Sequence, residues 1–380
     1  MINGKILFTA NLSSFYIKFL IPQLKWFKEN GYEVHVATKP ENMEIPYCDK
    51  VYDVDFARSF NFSQNITSYK QMLEILKNNH YDIISCHTPF GGAITRLAVK
   101  KCKPKDTRVV YMVHGFHFYK GGSKLKNLIF YSAEKYLAKY TDEIITINLE
   151  DYEVAKSQFK TNVSYIEGVG LDTAKFDFTL TSSEKNEFRK SIGISEDDFV
   201  AIYPAEILPR KRQEWLINTL APLMKEYSSF HILLPGKDSM DGFCQDLAKN
   251  LGLENRIHFL GFRRDVPKLI KISDMAVTSS YQEGLPVNVM EAIYVGLPIV
   301  ATRCRGNSDL IDNGKNGYIV DVNDSEGFRK KVLKVCNLTT SEREEIKQYD
   351  QEVIKKYLLD NVLEKTINIY LKSQEKTNES

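Results

Sequence analysis

Short apolar runs alternate with amphipathic stretches along most of the chain. Residues 5–10 and 33–38 have the composition of buried strands, and the apolar residues of 15–29 lie at helical spacing between them. The alternation continues through predicted strands at 82–87, 108–113, 143–147 and 163–166, and predicted helices at 66–79, 90–101, 123–139 and 149–159. Strands that alternate with helices in this way predict a parallel, doubly wound α/β sheet.

The alternation is interrupted at residues 167–176, EGVGLDTAKF, where two glycines precede a polar segment. A second series of strands and helices begins at residue 199. We therefore predict two doubly wound, Rossmann-like domains that face a cleft, the first formed by residues 1–168 and the second by residues 169–351. A helix at about 352–375 is predicted to cross back and pack on the first domain. Open parallel sheets bind ligands at the carboxyl ends of their strands, so the ligand site is expected in the cleft.

Composition limits the class of protein. The chain has 380 residues, 43% hydrophobic and 26% charged, and its net charge of +2 does not indicate a nucleic-acid-binding protein. Its six cysteines are scattered without a CxxC pair, which is typical of free thiols in a reducing compartment rather than of disulfides or a zinc site. The N-terminus, MINGKILFTANL, is too polar for a signal peptide, and no apolar run approaches the ~20 residues that span a bilayer. We predict a cytoplasmic protein, with membrane contact that is at most peripheral.

The stretch from 274 to 307 contains two candidate acids. It predicts a buried strand, an exposed turn of sequence EGLP at 283–286, a helix that starts near the proline, and a second buried strand. The free N–H groups and the dipole of that helix start favour an anion. Glu283 lies just before the helix and Glu291 in its second turn, so both could reach hydroxyl groups beside a bound phosphate. Glu283 is also compatible with a loop acid favoured by the helix dipole, and Glu291 with a solvated helix residue.

A cationic cluster follows the first strand of the second domain. Arg210, Lys211 and Arg212 fall where a helix is predicted to begin, and three cations at that position oppose the helix dipole. A bound diphosphate would make the arrangement favourable, so the cluster is a candidate phosphate site. The alternative is a solvated basic loop.

Two histidines follow a strand of the first domain. His114 lies at the end of the predicted strand 108–113, and His117 follows in the loop VHGFHFYKGGSK, whose two adjacent glycines give it mobility. Either side chain could hydrogen-bond a polar substrate at the mouth of a cleft, although a lone histidine is more often structural.

Two further segments hold weaker candidates. Gly168 belongs to GVGLD, where glycine permits a ligand to approach the backbone closely. In LGFRRDV, Phe262 and Arg263 could present a flat face and backbone groups to a nucleobase, and Asp265 could cap the helix that follows.

These motifs together resemble retaining glycosyltransferases of the GT-B fold, specifically glycosyltransferase family 4, over nearly the whole chain. The most specific motif is the E-x7-E pair of Glu283 and Glu291, with GLPIVAT following at 296–302. The segment 111–155, which begins YMVHGFHFYKG and ends INLEDYEVA, is similar to a bacterial branch typified by EpsD-like enzymes. That branch builds the repeat units of capsule, exopolysaccharide or O-antigen.

The resemblance implies three catalytic residues, each with a distinct role. Glu283 would hold hydroxyls of the transferred sugar, His114 would contact the same sugar, and Lys211 would neutralise the diphosphate with Arg210 or Arg212 in support. The implied nucleotide-sugar-binding residues are Arg210, Lys211, Gly284, Leu285, Pro286, Val287, Glu291, Arg263, Phe262, Gly168 and Glu206, and the implied acceptor-binding residues are Ser13, Ser14, His117 and Lys120. Among these, Glu291 would take the ribose hydroxyls and Arg263 would pack around the base.

One pair of adjacent residues departs from the family pattern. Many members have Gly-Arg where this chain has Ala205 and Glu206, so the second phosphate cation is unassigned and Arg210 is the candidate. The EpsD-like branch commonly has glutamate there.

The implied reaction moves a hexose or N-acetylhexosamine from a nucleotide sugar to a glycan or a polyprenyl-diphosphate-linked acceptor, with retention of anomeric configuration. A UDP sugar is favoured, and a GDP sugar is the alternative. No metal or other cofactor is expected, because the basic loop and the helix start would stabilise the departing diphosphate. The rival interpretations are a sugar-nucleotide epimerase of the same fold and a non-catalytic partner in glycan assembly.

The acceptor is expected at the first domain, where lysines lie beside apolar residues. The face consists of Lys100, Lys101, Lys103, Lys105, Lys120, Lys124 and Lys126, with Leu125, Leu128, Ile129 and Phe130. This composition suits anionic lipid headgroups and a lipid-linked sugar, and peripheral contact with the inner face of the cell membrane. A solvated helix flank is the alternative.

Overall fold

The computed structural model describes residues 4–57, 59–102 and 104–372. These residues divide into two compact units, the first up to Val169 and again from Asp360, and the second Gly170–Leu359. No helix of the described residues is long and apolar enough to cross a membrane.

The first unit contains one sheet of seven parallel strands in the order β3-β2-β1-β4-β5-β6-β7. The strands are β1 Gly4–Leu12, β2 Tyr32–Lys39, β3 Lys50–Asp53, β4 Ile83–Cys86, β5 Arg108–Val113, β6 Glu143–Thr146 and β7 Asn162–Tyr165. The helices are α1 Ser13–Phe19, α2 Ile21–Glu29, α3 Phe62–Asn78, α4 Pro89–Cys102, α5 Lys124–Leu137, a 3-10 turn Ala138–Tyr140 and α6 Leu149–Gln158. Every residue of β4, β5 and β6 is buried, as expected for parallel strands covered on both faces.

The second unit contains six parallel strands in the order β10-β9-β8-β11-β12-β13. The strands are β8 Phe199–Ile202, β9 Phe230–Pro235, β10 Ile257–Gly261, β11 Met275–Thr278, β12 Ile299–Thr302 and β13 Gly317–Val320. The helices are a 3-10 turn Ala174–Phe176, α7 Ser182–Ser191, α8 Gln213–Glu226, α9 Phe243–Asn250, α10 Val266–Lys271, α11 Val287–Val295, α12 Asn307–Leu310, α13 Ser325–Cys336, α14 Thr340–Val353 and a 3-10 turn Ile354–Tyr357. The predicted fold class, two doubly wound α/β domains, is confirmed.

The last helix, α15 Leu359–Leu371, belongs almost entirely to the first unit. It begins later than the predicted position near 352, because α14 and the 3-10 turn after it continue to Tyr357 within the second unit. The predicted positions 373–375 lie outside the described residues. Tyr370 of α15 is fully buried against Phe8 and Phe27, which fixes the helix on the first sheet.

Three local differences from the predicted elements have physical reasons. The predicted helix at 15–29 is two helices, because Pro22 near the start of α2 cannot continue the hydrogen-bonding of α1. The edge strand β3 was not predicted, since its four residues are mostly exposed and give no apolar signal. Helix α7 was also missed, because its polar sequence hides a capping box between Thr181 and Glu184.

A buried ion pair joins α4 to α5 in the first unit. Arg96 has no exposed surface, and its Nη2 donates to Oε2 of Glu134 at 2.9 Å. The guanidinium also lies 3.8 Å from the ring centre of Tyr111. A charge buried this completely depends on its partner for stability.

Candidate active site

The carboxyl ends of β8 and β11 meet at the centre of the second sheet. The two strands are neighbours, and the order of strands reverses there, with β9 and β10 on one side and β12 and β13 on the other. Loops 203–212 and 279–286 leave these two strand ends. Such a reversal point forms the crevice that binds ligands in open α/β sheets.

An acid and two cations meet between those two loops. Lys211 Nζ lies 2.5 Å from Oε1 of Glu283, and Arg210 Nη1 lies 3.1 Å from Oε2 of the same carboxylate. Glu283 is only 8% exposed. Burial by itself would raise the pKa of Glu283, but the positive charges of Lys211 and Arg210 outweigh it and lower that pKa. The carboxylate is therefore held ionised between two cations.

The turn at 283–286, predicted to be exposed, is largely buried. Glu283, Leu285 and Pro286 are buried, and Nε of Arg305 donates to the carbonyl of Glu283 at 2.8 Å. Gly306 packs so closely that a Cβ there would lie 2.6 Å from the carbonyl oxygen of Gly284. The prediction of exposure was wrong, because the loop after β12 covers the turn.

Helix α11 begins directly after this turn. Pro286 is the N-cap rather than the first helical residue, and Val287 opens the helix. The first turn of α11 contains no acid, so its free N–H groups and dipole favour a negative ligand group. The free N–H groups at the start of α11 therefore lie where the sequence predicted an anion site.

Hydroxyl groups hold the cationic loop in place. Tyr203 Oη donates to the carbonyl of Lys211 at 3.1 Å, and Ser279 Oγ donates to the same carbonyl at 2.8 Å. Tyr203 also pairs with Ser280 Oγ at 2.7 Å. These contacts fix the backbone beneath Lys211, and none of the three hydroxyls was identified from the sequence.

Arg212 does not join the cluster. It has a left-handed backbone conformation, with φ of 57°, and its Nη1 donates to the carbonyl of Val322 at 2.6 Å. Its guanidinium also lies over the ring of Trp215 at 4.8 Å. Of the two cations considered as supports for Lys211, Arg210 is the one beside Glu283.

Glu291, in the second turn of α11, is buried rather than solvated. It is 8% exposed, and Lys175 Nζ donates to its Oε1. Lys175 lies in the segment 167–176 that the sequence marked as a boundary, but its charge was not recognised as a partner for an acid 116 residues away. The pair leaves the second carboxylate oxygen of Glu291 without a contact to Lys175.

The remaining candidates of the second unit lie on its surface loops. Phe262 is 77% exposed, and Arg263 donates to both oxygens of Asp265 at 2.7 and 2.5 Å. Asp265 is the N-cap residue of α10, but its side chain makes no capping hydrogen bond because it pairs with Arg263. Glu206 is exposed and accepts from Ser239 Oγ at 2.5 Å.

His114, in the first unit, lies at the carboxyl end of β5. Its Nε2 is 3.2 Å from Nδ1 of His87, and its ring packs edge-on against Phe15 at 4.8 Å between centres. Burial lowers the pKa of His114 to about 4. The imidazole is therefore neutral near pH 7 and offers one N–H donor and one acceptor.

Helix and loop residues of the first unit supply the other candidates. Ser13 is buried, and its hydroxyl donates to the carbonyl of Lys39 at 3.3 Å, whereas the N–H of Ser14 donates to Oε2 of Glu41 at 2.8 Å. His117 is exposed and packs on Phe130 at 5.1 Å between ring centres. Lys120 is exposed and donates its backbone N–H to Glu150, and Gly168 has a φ of 82°.

The structure thus brings together Arg210, Lys211 and Glu283 beside the start of α11. Two cations and free helix N–H groups suit a diphosphate, and a buried carboxylate suits hydroxyl groups next to it. In the first unit, a neutral, half-buried histidine offers a hydrogen bond to a polar ligand.

Comparison with known proteins places both units in described families. Residues 184–353 match the family described as Glycosyl transferases group 1, and residues 5–148 match Glycosyl transferase 4-like. A protein of Bacillus subtilis (strain 168), named as the glycosyltransferase EpsD, is 37% identical over 330 residues, which cover 86% of each chain. An Escherichia coli UDP-Gal:alpha-D-GlcNAc-diphosphoundecaprenol alpha-1,3-galactosyltransferase is 25% identical over 80% of each chain.

Solved structures share the same fold. Anabaena HepE in complex with UDP and glucose superposes with a TM-score of 0.78 at 19% identity, covering 97% of this chain and 99% of that one. WaaG, a glycosyltransferase involved in lipopolysaccharide biosynthesis, superposes with a TM-score of 0.72 at 18% identity, covering 97% and 100%.

Proposed function

Because the chain belongs to the group 1, family 4-like glycosyltransferases with the GT-B fold, we propose that it transfers a hexose or N-acetylhexosamine from a UDP sugar. The acceptor is a glycan or a polyprenyl-diphosphate-linked sugar, the anomeric configuration is retained, and the product is a bacterial surface polysaccharide. The relatives support this proposal: one is named for UDP-galactose and a diphosphoundecaprenol acceptor, and a second for a diphospho-undecaprenol acceptor. HepE has been solved with UDP and with UDP-glucose.

The observation that carries the proposal is the ionised, buried Glu283 between Lys211 and Arg210 at the start of α11. When the bond between sugar and diphosphate breaks, negative charge accumulates on the diphosphate. Tyr203 and Ser279 fix the backbone of Lys211 in advance, and Glu283 holds the side chains of Lys211 and Arg210, so these cations stabilise that charge with little reorganisation.

We propose separate tasks for the two acids. Glu283 accepts hydrogen bonds from hydroxyls of the transferred sugar, because it lies beside the diphosphate cations. Glu291 is five residues into α11, and its carboxylate keeps an oxygen for the ribose hydroxyls while Lys175 holds the other. The acceptor hydroxyl attacks on the face that the diphosphate leaves, and a phosphate oxygen takes its proton, which gives retention. No metal ion or other cofactor takes part in this scheme.

The acceptor is proposed to reach the enzyme from a membrane surface through the first unit. Lys100, Lys101, Lys105, Lys124 and Lys126 are exposed there, and Lys103 lies outside the described residues. Leu125, Leu128 and Ile129, which lie in α5 with Lys124 and Lys126, are 69%, 61% and 46% exposed. A groove of about 740 Å³ between α3 and α4 adds Phe62, Ile66 and Leu97 beside Lys100 and Lys101. Exposed apolar side chains on the same helices as exposed lysines suit an anionic lipid surface.

A screen followed by a transfer assay tests the reaction. The melting temperature of the full chain is measured with UDP-glucose, UDP-galactose, UDP-N-acetylglucosamine, UDP-N-acetylgalactosamine and GDP-mannose, because a donor that binds the folded state raises it. The stabilising donor is then mixed with a polyprenyl diphosphate bearing one sugar, and NMR of the product gives the anomeric configuration. We expect transfer with retention, lost in Glu283→Gln and kept in Glu214→Gln, a control at an exposed acid of α8. Inversion, or donor turnover to an epimerised sugar without acceptor, would contradict the proposal.

Vesicle sedimentation tests the membrane surface separately. The full chain is expected to sediment with vesicles containing phosphatidylglycerol, and not with phosphatidylcholine alone. The pair Leu125→Ser and Leu128→Ser should reduce that binding, whereas Phe243→Ser, at a residue of the second unit that is 47% exposed, should leave it unchanged. Equal binding by all three proteins would overturn the assignment of this surface.

A further inference from the structure

A line of four polar side chains runs through the first unit from the last helix to His114. Tyr370 Oη of α15 lies 2.6 Å from Ser85 Oγ, and Ser85 Oγ lies 2.8 Å from Nε2 of His87. His87 Nδ1 in turn lies 3.2 Å from Nε2 of His114. Tyr370, Ser85 and His87 have no exposed surface, so no solvent competes for these hydrogen bonds.

Each histidine in the line has a single proton near pH 7. Burial lowers the pKa of His87 well below its ordinary value, and it lowers the pKa of His114 to about 4. Burial also raises the pKa of Tyr370, which keeps its hydroxyl proton. The four groups therefore have one donor proton each, and the direction of the hydrogen bonds depends on whether the proton of His87 is on Nδ1 or on Nε2.

The two directions differ in what they leave unpaired. If Tyr370 donates to Ser85, Ser85 to His87 Nε2 and His87 Nδ1–H to His114 Nε2, every buried donor has an acceptor. If the protons run the other way, one hydroxyl proton of Tyr370 or Ser85 has no acceptor among the described residues. An unpaired buried donor costs about 1–3 kcal/mol, so the first direction is the stable one.

We propose that Tyr370, Ser85 and His87 are positioning residues that fix His114 as the tautomer with its proton on Nδ1. Nδ1 is the nitrogen of His114 that has no hydrogen-bond partner among the described residues. His114 therefore presents an N–H donor, not a lone pair, to its ligand. The preferred ligand atom is an oxygen acceptor, such as a sugar hydroxyl oxygen or a phosphate oxygen, and His114 does not act as a general base.

The consequence for catalysis rests on the proposed function and on the role that the family resemblance implies for His114, which is contact with the transferred sugar. The tautomer of His114 does not rest on the proposed function, because it is a property of the first unit without a ligand. The two claims can therefore fail separately.

Nitrogen-15 NMR of the full chain, labelled on histidine and free of ligand, decides the tautomer. The signals of His114 and His87 are assigned by their loss in His114→Gln and His87→Asn. We expect both residues to show a protonated Nδ1 and an unprotonated Nε2 near pH 7. A protonated Nε2 on either residue, or a doubly protonated His114, would overturn the proposal.

A pair of leucine substitutions tests the positioning role. His87→Leu removes the donor to His114 Nε2, so the His114 signals should move away from those of a pure Nδ1–H tautomer. His35→Leu is the matched control, because His35 is also buried in the same unit but bonds Tyr81 and Glu33 instead. It should lower the melting temperature without changing the His114 signals.

Kinetics with the donor found by the screen complete the test. His87→Leu should lower kcat about 100-fold with little change in KM for the nucleotide sugar. This is expected when an N–H group that stabilises the transition state, here that of His114, is no longer held in place. Equal losses of kcat in His87→Leu and His35→Leu would show that His87 has only a structural role. If no nucleotide sugar binds at all, the proposed function fails while the NMR result still decides the tautomer.

Discussion

Replacement of Asp350 by asparagine should remove a loss of stability that the second unit undergoes as the pH rises. Asp350, in α14, has no exposed surface. Its Oδ1 accepts from Nδ2 of Asn316 at 3.0 Å, and its Oδ2 has no partner among the described residues. Burial raises the pKa of Asp350 to about 8, although the hydrogen bond from Asn316 acts in the opposite direction.

The sign of the effect follows from proton binding. An aspartate in the unfolded chain has a pKa of about 3.9, so between about pH 4 and about pH 8 the folded state binds the additional proton. The stabilisation from this group is complete below about pH 4 and is lost as the pH rises through 8. Each pH unit within that window costs about 1.4 kcal/mol, so the loss from about pH 5 to about pH 8.5 is about 4 kcal/mol.

The assay compares two proteins across pH so that constant contributions cancel. In a Trp26→Phe background, Trp215 is the only tryptophan, and its ring packs on Phe328 in the second unit. Urea unfolding followed by the fluorescence of Trp215 gives the free energy of unfolding with and without Asp350→Asn. We expect the difference to shift by about 4 kcal/mol in favour of the variant between about pH 5 and about pH 8.5.

Glu345→Gln, at an exposed acid of the same helix, is the control. Its difference from the parent protein should not change by more than a few tenths of a kcal/mol over the same range. A pH-independent effect of Asp350→Asn would refute the reasoning, because it would show that the buried carboxyl is ionised in the folded state at pH 5.

Three further changes have distinct expected outcomes. Lys211→Met should lower kcat for the donor by about 10²–10³, because a fixed cation at the departing diphosphate is lost; steady-state turnover measures this, and an unchanged kcat contradicts the role. Glu291→Gln should weaken UDP binding about 10-fold by titration calorimetry with kcat nearly kept, and an unaltered Kd would remove Glu291 from the nucleotide site. Glu134→Gln leaves Arg96 buried without a counter-charge and should destabilise the fold by about 3 kcal/mol, so a thermal melt that matches the parent would contradict this account.

The fold was predictable because its signal is local and repeated. Strands β4, β5 and β6 are short apolar runs, and most of the helices between strands have an apolar face, so the order of elements predicts both sheets. The elements that were missed lack that signal. Strand β3 is at a sheet edge, and α7 has an almost entirely polar sequence that is specified by its capping box.

The site was predictable as a set of motifs but not as a set of contacts. The sequence indicated that Lys211 and Glu283 each follow a strand of the second unit, whereas the adjacency of those two strands comes from the sheet order that the structure shows. The choice between Arg210 and Arg212 depends on a left-handed backbone conformation at Arg212, which turns its side chain toward Val322. The Lys175 partner of Glu291 joins residues far apart in sequence, and no spacing rule indicates such a pair.

Glu283 of the second-unit site is paired with Lys211 and Arg210 before any ligand binds, which leaves these three groups with a net positive charge, and this determines how a ligand can bind. Glu283 is too deeply buried to remain ionised alone, so Lys211 and Arg210 are needed for its charge as well as for a diphosphate. Lys211 has three N–H donors and uses one on Glu283, which leaves the others for phosphate oxygens. A nucleotide sugar can therefore add its contacts to the existing ion pairs instead of replacing them. Binding then requires no separation of buried charges. The cations are already placed where the leaving diphosphate gains its charge.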